Sequence, residues 1–404
     1  MPPIGSHTGF VSTASRSRAR GPATASAGLR VAWLGHRSQT HGDGIITYSR
    51  EITAGLKRRG VDVVFFHHSR EGNNDEDESV ALDSFFTSHR LVISRPGSTR
   101  RLADLLERHR VDLVHVSLSF ASVDFNLPRI CHRLGIPIVA TFHVPYDTRF
   151  SVWGGISAAV YRLYAQALDD CDAVIIFGDT QREILRRLGV PPDVIHVVPN
   201  GVDVDRYSPG PETRKEEFGA DQLFAYVGRL DPEKNVDLLL DAFLRVDPPA
   251  GTRFVVVGGG ANRRRLQRRY DDDRIVFTGV ITDEQQRVEL LRSTDAFFLP
   301  SSVEGLSLAM LEAMACGCAT VATDVGSDGD ALRGAGVVLD PRHLEAELRA
   351  ALRLLVEVPG VSDLLGQLAR QRAVERYSLA ANLDRLLEIY REVVARGVPA
   401  SARS

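Results

Sequence analysis

The chain has 404 residues, 44% of them apolar and 25% charged, with a formal net charge of −3. That length suits two domains, and no apolar run approaches the ~18 residues that cross a bilayer. The charge balance argues against nucleic acid as a partner, and four cysteines are too few for a disulfide framework, so a reducing compartment, the cytoplasm, is expected. The basic residues are three lysines (Lys57, Lys215, Lys234) and 46 arginines, which reads as codon bias.

Residues 1–28 are rich in Ser, Ala, Gly and Arg and lack the apolar stretch of a signal peptide. They read as a disordered leader, with a transit or membrane-touching role for Arg16, Arg18 and Arg20 as the alternative. Residues 29–34 form an opening strand, a helix follows over 47–59, and 62–67 form the next strand. Residues 70–95 are acidic and irregular and are expected to be loop, with 73–78 solvated. The alternation then resumes: helix 100–110, strand 112–116, helix 124–134, strand 137–142, helix 158–168, strand 173–177, helix 180–188, strand 195–198. Short apolar strands between amphipathic helices are the pattern of a parallel sheet covered on both faces.

Pro199-Asn200-Gly201-Val202-Asp203 breaks the alternation with turn residues, and 208–220 have the charge and Pro/Gly content of a linker. A second series follows, with strands at 223–227, 253–257, 274–278, 296–299 and 319–322. Helices fall between them at 236–246, 262–270, 283–292 and 308–315. A short strand at 336–339 leads to three helical segments ending near residue 395. The predicted fold is α/β: two Rossmann-like, doubly wound domains facing across a cleft. The domains are 29–205 and 222–375, joined by a linker at 206–221 and followed by a helix at 376–396 and a tail at 397–404. Parallel sheets bind ligands at the carboxyl ends of their strands, so the cleft is where a substrate would be clamped and water excluded.

Four loops of the second half follow strands and share one rim. Gly228-Arg229-Leu230-Asp231-Pro232-Glu233-Lys234-Asn235 places two cations just before a helix, where its dipole disfavours them unless an anion binds; a solvated turn is the alternative. Gly258-Gly259-Gly260 lets a ligand approach the backbone, but Arg263 stands where the dinucleotide fingerprint needs glycine. Gly279 and Val280 follow the third strand and can line a base pocket. The fourth loop reads Glu304-Gly305-Leu306-Ser307, with Glu312 eight positions after Glu304. A helix start offers free N–H groups to a phosphate, and an eight-residue step is about 12 Å along a helix axis. Two acids so placed suit hydroxyls on either side of a diphosphate; a surface Glu followed by a helix Glu is the plain alternative. In the first half, His41-Gly42-Asp43-Gly44 follows the opening strand and can present N–H groups to a phosphate. His143 ends another strand and reaches the cleft, as a ligand to a sugar hydroxyl or as a structural residue. Asp271-Asp272-Asp273 precedes a strand on the side away from the rim and reads as a solvated turn. Cys316-Gly317-Cys318 lacks a second pair to complete a metal site and reads as small residues packing between helix and strand.

With these motifs in their order and spacing, residues 29–396 resemble glycosyltransferase family 4, of GT-B architecture. The segments that carry the likeness are Glu304-x7-Glu312, the Gly228–Asn235 loop and Pro199-Asn200-Gly201-Val202-Asp203. The resemblance implies a retaining transferase that takes a hexose from a nucleotide-diphosphate sugar, UDP being the commonest carrier and GDP or ADP alternatives, without an essential metal or other cofactor. It implies that Arg229 and Lys234 hold the diphosphate and that Glu312 binds the ribose. Glu304 would contact the donor sugar, with Gly305, Leu306 and Ser307 supplying N–H groups. Gly44, Gly228, Gly258 and Val280 would approach the donor, His143 would hold a hydroxyl near the reacting carbon, and the final helix, 376–396, would cross back to the first domain. Where the family has adjacent glycines, Asp43 separates Gly42 from Gly44.

Such a reaction builds an oxocarbenium-like sugar and a diphosphate of growing negative charge, which preorganised cations and N–H groups stabilise. No carboxylate pair is spaced as in a hydrolase and no activated nucleophile is evident. The segments at 130–142, 144–147 and 161–164 are similar to family members that glycosylate diacylglycerol lipids, the digalactosyldiacylglycerol synthases. Arg95, Arg100, Arg101, Arg108 and Arg110 then suggest peripheral contact with the inner face of a membrane, or else a solvated helix face. A soluble sugar or natural-product acceptor stays open. So does an epimerase, a phosphorylase or a non-catalytic nucleotide-sugar-binding protein on the same fold.

Overall fold

The computed structural model describes residues 28–35, 44–69, 79–87, 92–95, 97–118, 121–146 and 152–398. The leader up to residue 27, His41 to Asp43, the acidic stretch 70–78, Asp147 and the last six residues lie outside them. The first half contains β1 (Arg30–Gly35), α1 (Gly44–Arg58), β2 (Asp62–Ser69), β3 (Ser79–Thr87), β4 (Val92–Ser94), α2 (Ser98–Arg108) and β5 (Leu113–Leu118). It continues with α3 (Leu127–Arg133), β6 (Ile138–Phe142), α4 (Val152–Asp169), β7 (Ala173–Ile176), α5 (Asp179–Arg187) and β8 (Ile195–Val197). These strands form one sheet in the order β4-β3-β2-β1-β5-β6-β7-β8, parallel except for the β3–β4 pair. The loop expected over 70–95 is therefore wrong for most of its described part. Ser79–Thr87 pairs with β2 on one side and with the edge strand Val92–Ser94 on the other, and its mixed serine, aspartate and apolar residues hid it beside the acidic run.

The second half contains α6 (Lys215–Phe218), β9 (Gln222–Val227), α7 (Val236–Val246), β10 (Thr252–Val257), α8 (Arg263–Arg269), β11 (Ile275–Gly279), α9 (Glu284–Arg292) and β12 (Ala296–Leu299). Then come α10 (Leu308–Cys316), β13 (Ala319–Thr323), α11 (Asp328–Leu332), β14 (Val337–Leu339), α12 (Leu344–Glu357), α13 (Pro359–Arg376) and α14 (Leu379–Arg396). Its all-parallel sheet has the order β11-β10-β9-β12-β13-β14, the doubly wound arrangement with its switch point between β9 and β12. The segment expected as plain linker carries the one-turn α6, held by Lys215 Nζ on Asp295 at 2.8 Å.

Side chains alternate across each strand, and both faces of the first sheet are buried. Val31, Trp33, Leu113 and Val139 enter one core, and Ala32, Leu34, Val114 and Ile138 enter the other. This double burial is why the strands read as unbroken apolar runs. The first of these cores includes Leu383, Ile389 and Tyr390, so α14 covers a face of the first domain although it follows the second in sequence. Leu383 sits so close to Gly55 of α1 that a Cβ there would lie 2.3 Å away. Arg59 Nε pairs with Asp384 at 2.8 Å, and Asn382 donates to the Pro199 carbonyl at 2.9 Å. Burying one such Leu or Ile contributes roughly 1.5–3 kcal/mol, so α14 ties the two halves by ordinary packing. Among the described residues, no helix is long and apolar enough to cross a membrane.

Candidate functional site

All strands of the second sheet end on one rim, and that rim brings Arg229, Lys234, Glu304 and Glu312 into one region. Backbone bonds lace the loops: Gly228 N–H donates to Val257 O at 3.0 Å, Gly258 N–H to Gly279 O at 2.8 Å and Leu230 N–H to Gly259 O at 2.7 Å. Gly258 has φ +143°, and a Cβ there would fall 1.8 Å from Gly228 O, so the close approach admits only glycine. Asn235 donates to Pro300 O at 2.9 Å and to Ser302 Oγ at 2.7 Å, joining the β9 and β12 loops. Val280 is exposed beside this lacing, as is Gly44 across the cleft at the first residue of α1.

Both cations are paired with carboxylates, Lys234 in a buried position and Arg229 partly exposed. Lys234 is only 9% exposed, and its Nζ meets Glu304 Oε1, which also accepts from Ser301 Oγ at 2.8 Å. Arg229 pairs with Asp231 and reaches Glu233 at 3.4 Å, while Tyr226 Oη donates to the Arg229 carbonyl at 2.6 Å. Glu304 lies in the turn before α10, which begins at Leu308, so the two glutamates are not spaced along one helix axis as the sequence step suggested. Ser307 caps α10, its Oγ accepting from Met310 N–H at 3.3 Å. Its own N–H is committed to Asp328 Oδ1 at 2.8 Å and is not available to a ligand. Among the described residues no acceptor engages the N–H of Gly305 or Leu306.

Sequence reasoning missed three residues here. Asp328 is 1% exposed and Oδ2 has no hydrogen-bond partner; burial, with Glu304 nearby, pushes its carboxyl well above the usual range. Arg287 Nε lies 3.3 Å from Glu312 Oε2, and its Nη2 donates to Tyr207 Oη at 2.6 Å. Burial raises the Glu312 carboxyl, and Arg287 works against that rise. No spacing rule marks these residues, because the fold pairs them across 21 to 105 positions of sequence.

The first domain closes over this rim. Tyr146 Oη donates to Gly326 O and Asn200 Nδ2 to Leu306 O, both at 2.6 Å. His143, half-buried, has Nε2 2.9 Å from Ser117 Oγ, and the edge of the Tyr48 ring meets it at a centroid distance of 4.7 Å. Below it, Thr141 Oγ1 lies 2.7 Å from His115 Nε2 and 3.2 Å from Tyr48 Oη, and His115 Nδ1 contacts Tyr390 Oη of α14 at 2.5 Å. His115 also stacks on Trp33 at 4.1 Å, and burial pushes its pKa down to about 3. On α2, Arg100 and Arg108 are exposed, with Asp104 and Glu107 exposed between them, so that surface carries both signs of charge.

Two facing doubly wound domains with cations, free amides and carboxylates on one rim define a GT-B glycosyltransferase. The model described as "Glycosyltransferase Family 4" matches residues 42–206, and that described as "Glycosyl transferases group 1" matches 221–357. The chain is thus a GT-B glycosyltransferase, its first half matching the family 4 model and its second half the group 1 model. It is 26% identical to the MMP alpha-(1->4)-mannosyltransferase of Mycolicibacterium hassiacum over 91% of this chain and 99% of that one. It is 28% identical to the D-inositol 3-phosphate glycosyltransferase of Segniliparus rotundus over 89% and 87%. In fold it is similar to Anabaena HepE in complex with UDP (TM-score 0.72, 16% identity, 90% and 100% covered). The sucrose-phosphate synthase of Thermosynechococcus elongatus is as similar (0.72, 18%, 91% and 100%).

Proposed function

We infer that this glycosyltransferase moves a hexose from a nucleotide-diphosphate sugar, a UDP-sugar first among them, to a hydroxyl acceptor with retention at the anomeric carbon. The observation that carries the reading is Lys234, buried against Glu304 where the β9 and β12 loops meet. A cation is kept there at the cost of desolvation, at the edge of free Gly305 and Leu306 amides and the N-terminus of α10. An incoming diphosphate would draw Lys234 and Arg229 from their carboxylate partners, which frees Glu304 for the sugar. Glu312 would take the ribose, Gly44, Gly228, Gly258 and Val280 would border the nucleotide, and His143 would hold a hydroxyl beside the reacting carbon. Charge growing on the leaving diphosphate then meets fixed cations, so the reaction needs no metal and no further cofactor. The acceptor attacks from the face the diphosphate leaves, and the diphosphate takes its proton.

The relatives' names support a sugar transfer and widen the acceptors: inositol 3-phosphate in one, a lipid-linked GlcNAc diphosphoundecaprenol in another. A membrane glycolipid reached through peripheral contact of the first domain stays within this reading. The test combines UDP-, GDP- and ADP-hexoses with phosphorylated polyols, free sugars and diacylglycerol glycolipids, with and without chelator. Products are read by mass and by the anomeric coupling in NMR. The expected outcome is an α-linked product from an α-donor, unaffected by chelator. Full activity of both Lys234→Ala and Glu312→Ala, or an inverted product, would overturn it.

A further inference from the structure

Glu312 does not stand alone. It lines a pocket between the domains with Thr47 and Glu51 of α1, Arg206 and Tyr207 of the inter-domain segment, and Glu284 of α9. Arg287 reaches it from α9 at 3.3 Å, and Arg287 in turn is held by Tyr207 Oη, 2.6 Å from Nη2 and 3.2 Å from Nε. Glu284 lies 3.6 Å from Arg287 and takes Arg206 at 2.8 Å, and Arg206 extends to Glu51 at 3.9 Å. Resting on the reading that Glu312 binds the ribose, we propose that Arg287, oriented by Tyr207, is a positioning residue that keeps the Glu312 carboxylate turned to the cleft as an acceptor for the nucleoside hydroxyls.

The physical argument concerns which form of the acid is present. A carboxylate accepts two hydroxyls well; a buried carboxylic acid spends its proton as a donor and accepts less strongly. Desolvation favours the acid, and so do the neighbouring carboxylates Glu284 and Glu51. Arg287 is the cation opposing them; Tyr207 contributes a hydrogen bond, and Cys316 is the other titratable group close by. Without Arg287, Glu312 would ionise only at higher pH. The guanidinium does this from the side of Oε2, and it need not touch the nucleotide.

The experiment measures binding of UDP, GDP or ADP, whichever the unsubstituted chain holds most tightly, by calorimetry from pH 6 to 9. The variants are Arg287→Met, Arg287→Lys, Glu312→Gln and the double substitution. Arg287→Met is expected to weaken binding roughly tenfold at pH 7, the scale of one hydrogen bond to a charged group, and to recover toward pH 9 as Glu312 ionises. Arg287→Lys restores most of the affinity at pH 7. Glu312→Gln is weak at every pH, and adding Arg287→Met to it costs nothing more. A residue with only a structural role would lower melting temperature without moving the pH profile. Unchanged binding in Arg287→Met, or a loss that is flat with pH, overturns the proposal while a weak Glu312→Gln leaves the placement of the nucleoside standing. Glu312→Gln binding like the unsubstituted chain overturns both.

Discussion

Under the rim of the first domain, Ser117, Thr141, Tyr48 and Tyr390 meet His143 and His115 as hydroxyls and imidazoles. At the rim of the second, Arg229, Lys234, Glu304, Arg287 and Glu312 meet as charges. The difference follows from what each wall would have to do. A diphosphate is gripped by charge, and cations placed for it must be balanced by the protein when it is absent. An acceptor hydroxyl and a sugar carry no charge, so the opposing wall can be built of uncharged groups that stay satisfied at all times. The charged wall is therefore the one whose bonds have to rearrange on binding.

The strongest way to break this contrast is Lys234→Ala. On the proposed reading, in which Lys234 meets the leaving diphosphate, its loss is expected to lower kcat by about 10²–10³. Ser117→Ala on the opposite wall removes one uncharged hydrogen bond to His143 and should cost about tenfold or less. Steady-state transfer rates check both, and a reversed order would assign the electrostatic work to the wrong domain.

Next in size is a stability effect. Glu304→Ala leaves Lys234, 9% exposed, without its carboxylate. Breaking a buried pair from one side costs roughly 3–5 kcal/mol, read by urea unfolding. A nucleoside diphosphate should raise the melting temperature of this variant more than that of the unsubstituted chain, because the anion replaces the missing partner. Equal shifts would show that the ligand does not reach Lys234.

The first wall has its own pH signature. Burial holds His115 neutral with a pKa near 3, below its ordinary value of 6.5. Between those values the unfolded chain binds the extra proton, so stability is complete above about pH 6.5 and falls as pH drops toward 3, by at most ~1.4 kcal/mol per unit. His115→Gln should flatten that part of the stability curve. An unchanged acid slope would place the titrating group elsewhere.

Much of this was legible in the chain. The period of apolar runs gave both sheets, because strands buried on two faces leave few polar residues to blur them. The exceptions were Ser79–Thr87, which pairs between β2 and β4 but mixes serine and aspartate with its apolar residues, and the three-residue edge strand Val92–Ser94. The rim loops were legible because glycine, proline and paired charges cluster after strands. Their partners were not. Nothing in the sequence around Arg287 or Asp328 marks them out; they matter because α9 and α11 carry them against Glu312 and Ser307. Tyr390 was hidden in a narrower sense: the resemblance implied that the last helix crosses back to the first domain, but not that this residue of it meets His115.

Tyr390→Phe is the mildest test and the most discriminating for the first wall. It removes only the hydroxyl that meets His115 Nδ1 at 2.5 Å, leaving the ring packed and His115 Nε2 still on Thr141 at 2.7 Å. One imidazole nitrogen then lacks its partner in a buried site, which costs roughly 1–2 kcal/mol. Because the same contact fastens α14 to the first domain, the loss should appear in urea unfolding, and it should fall short of additivity with His115→Gln, since both remove one interaction. Donor KM should not move, for the contacts of His115 are Thr141, Tyr390 and the Trp33 ring, all uncharged. A rise in donor KM comparable to that from Lys234→Ala would mean that α14 transmits its seating to the rim, and the two walls would then have to be treated as a single mechanical unit.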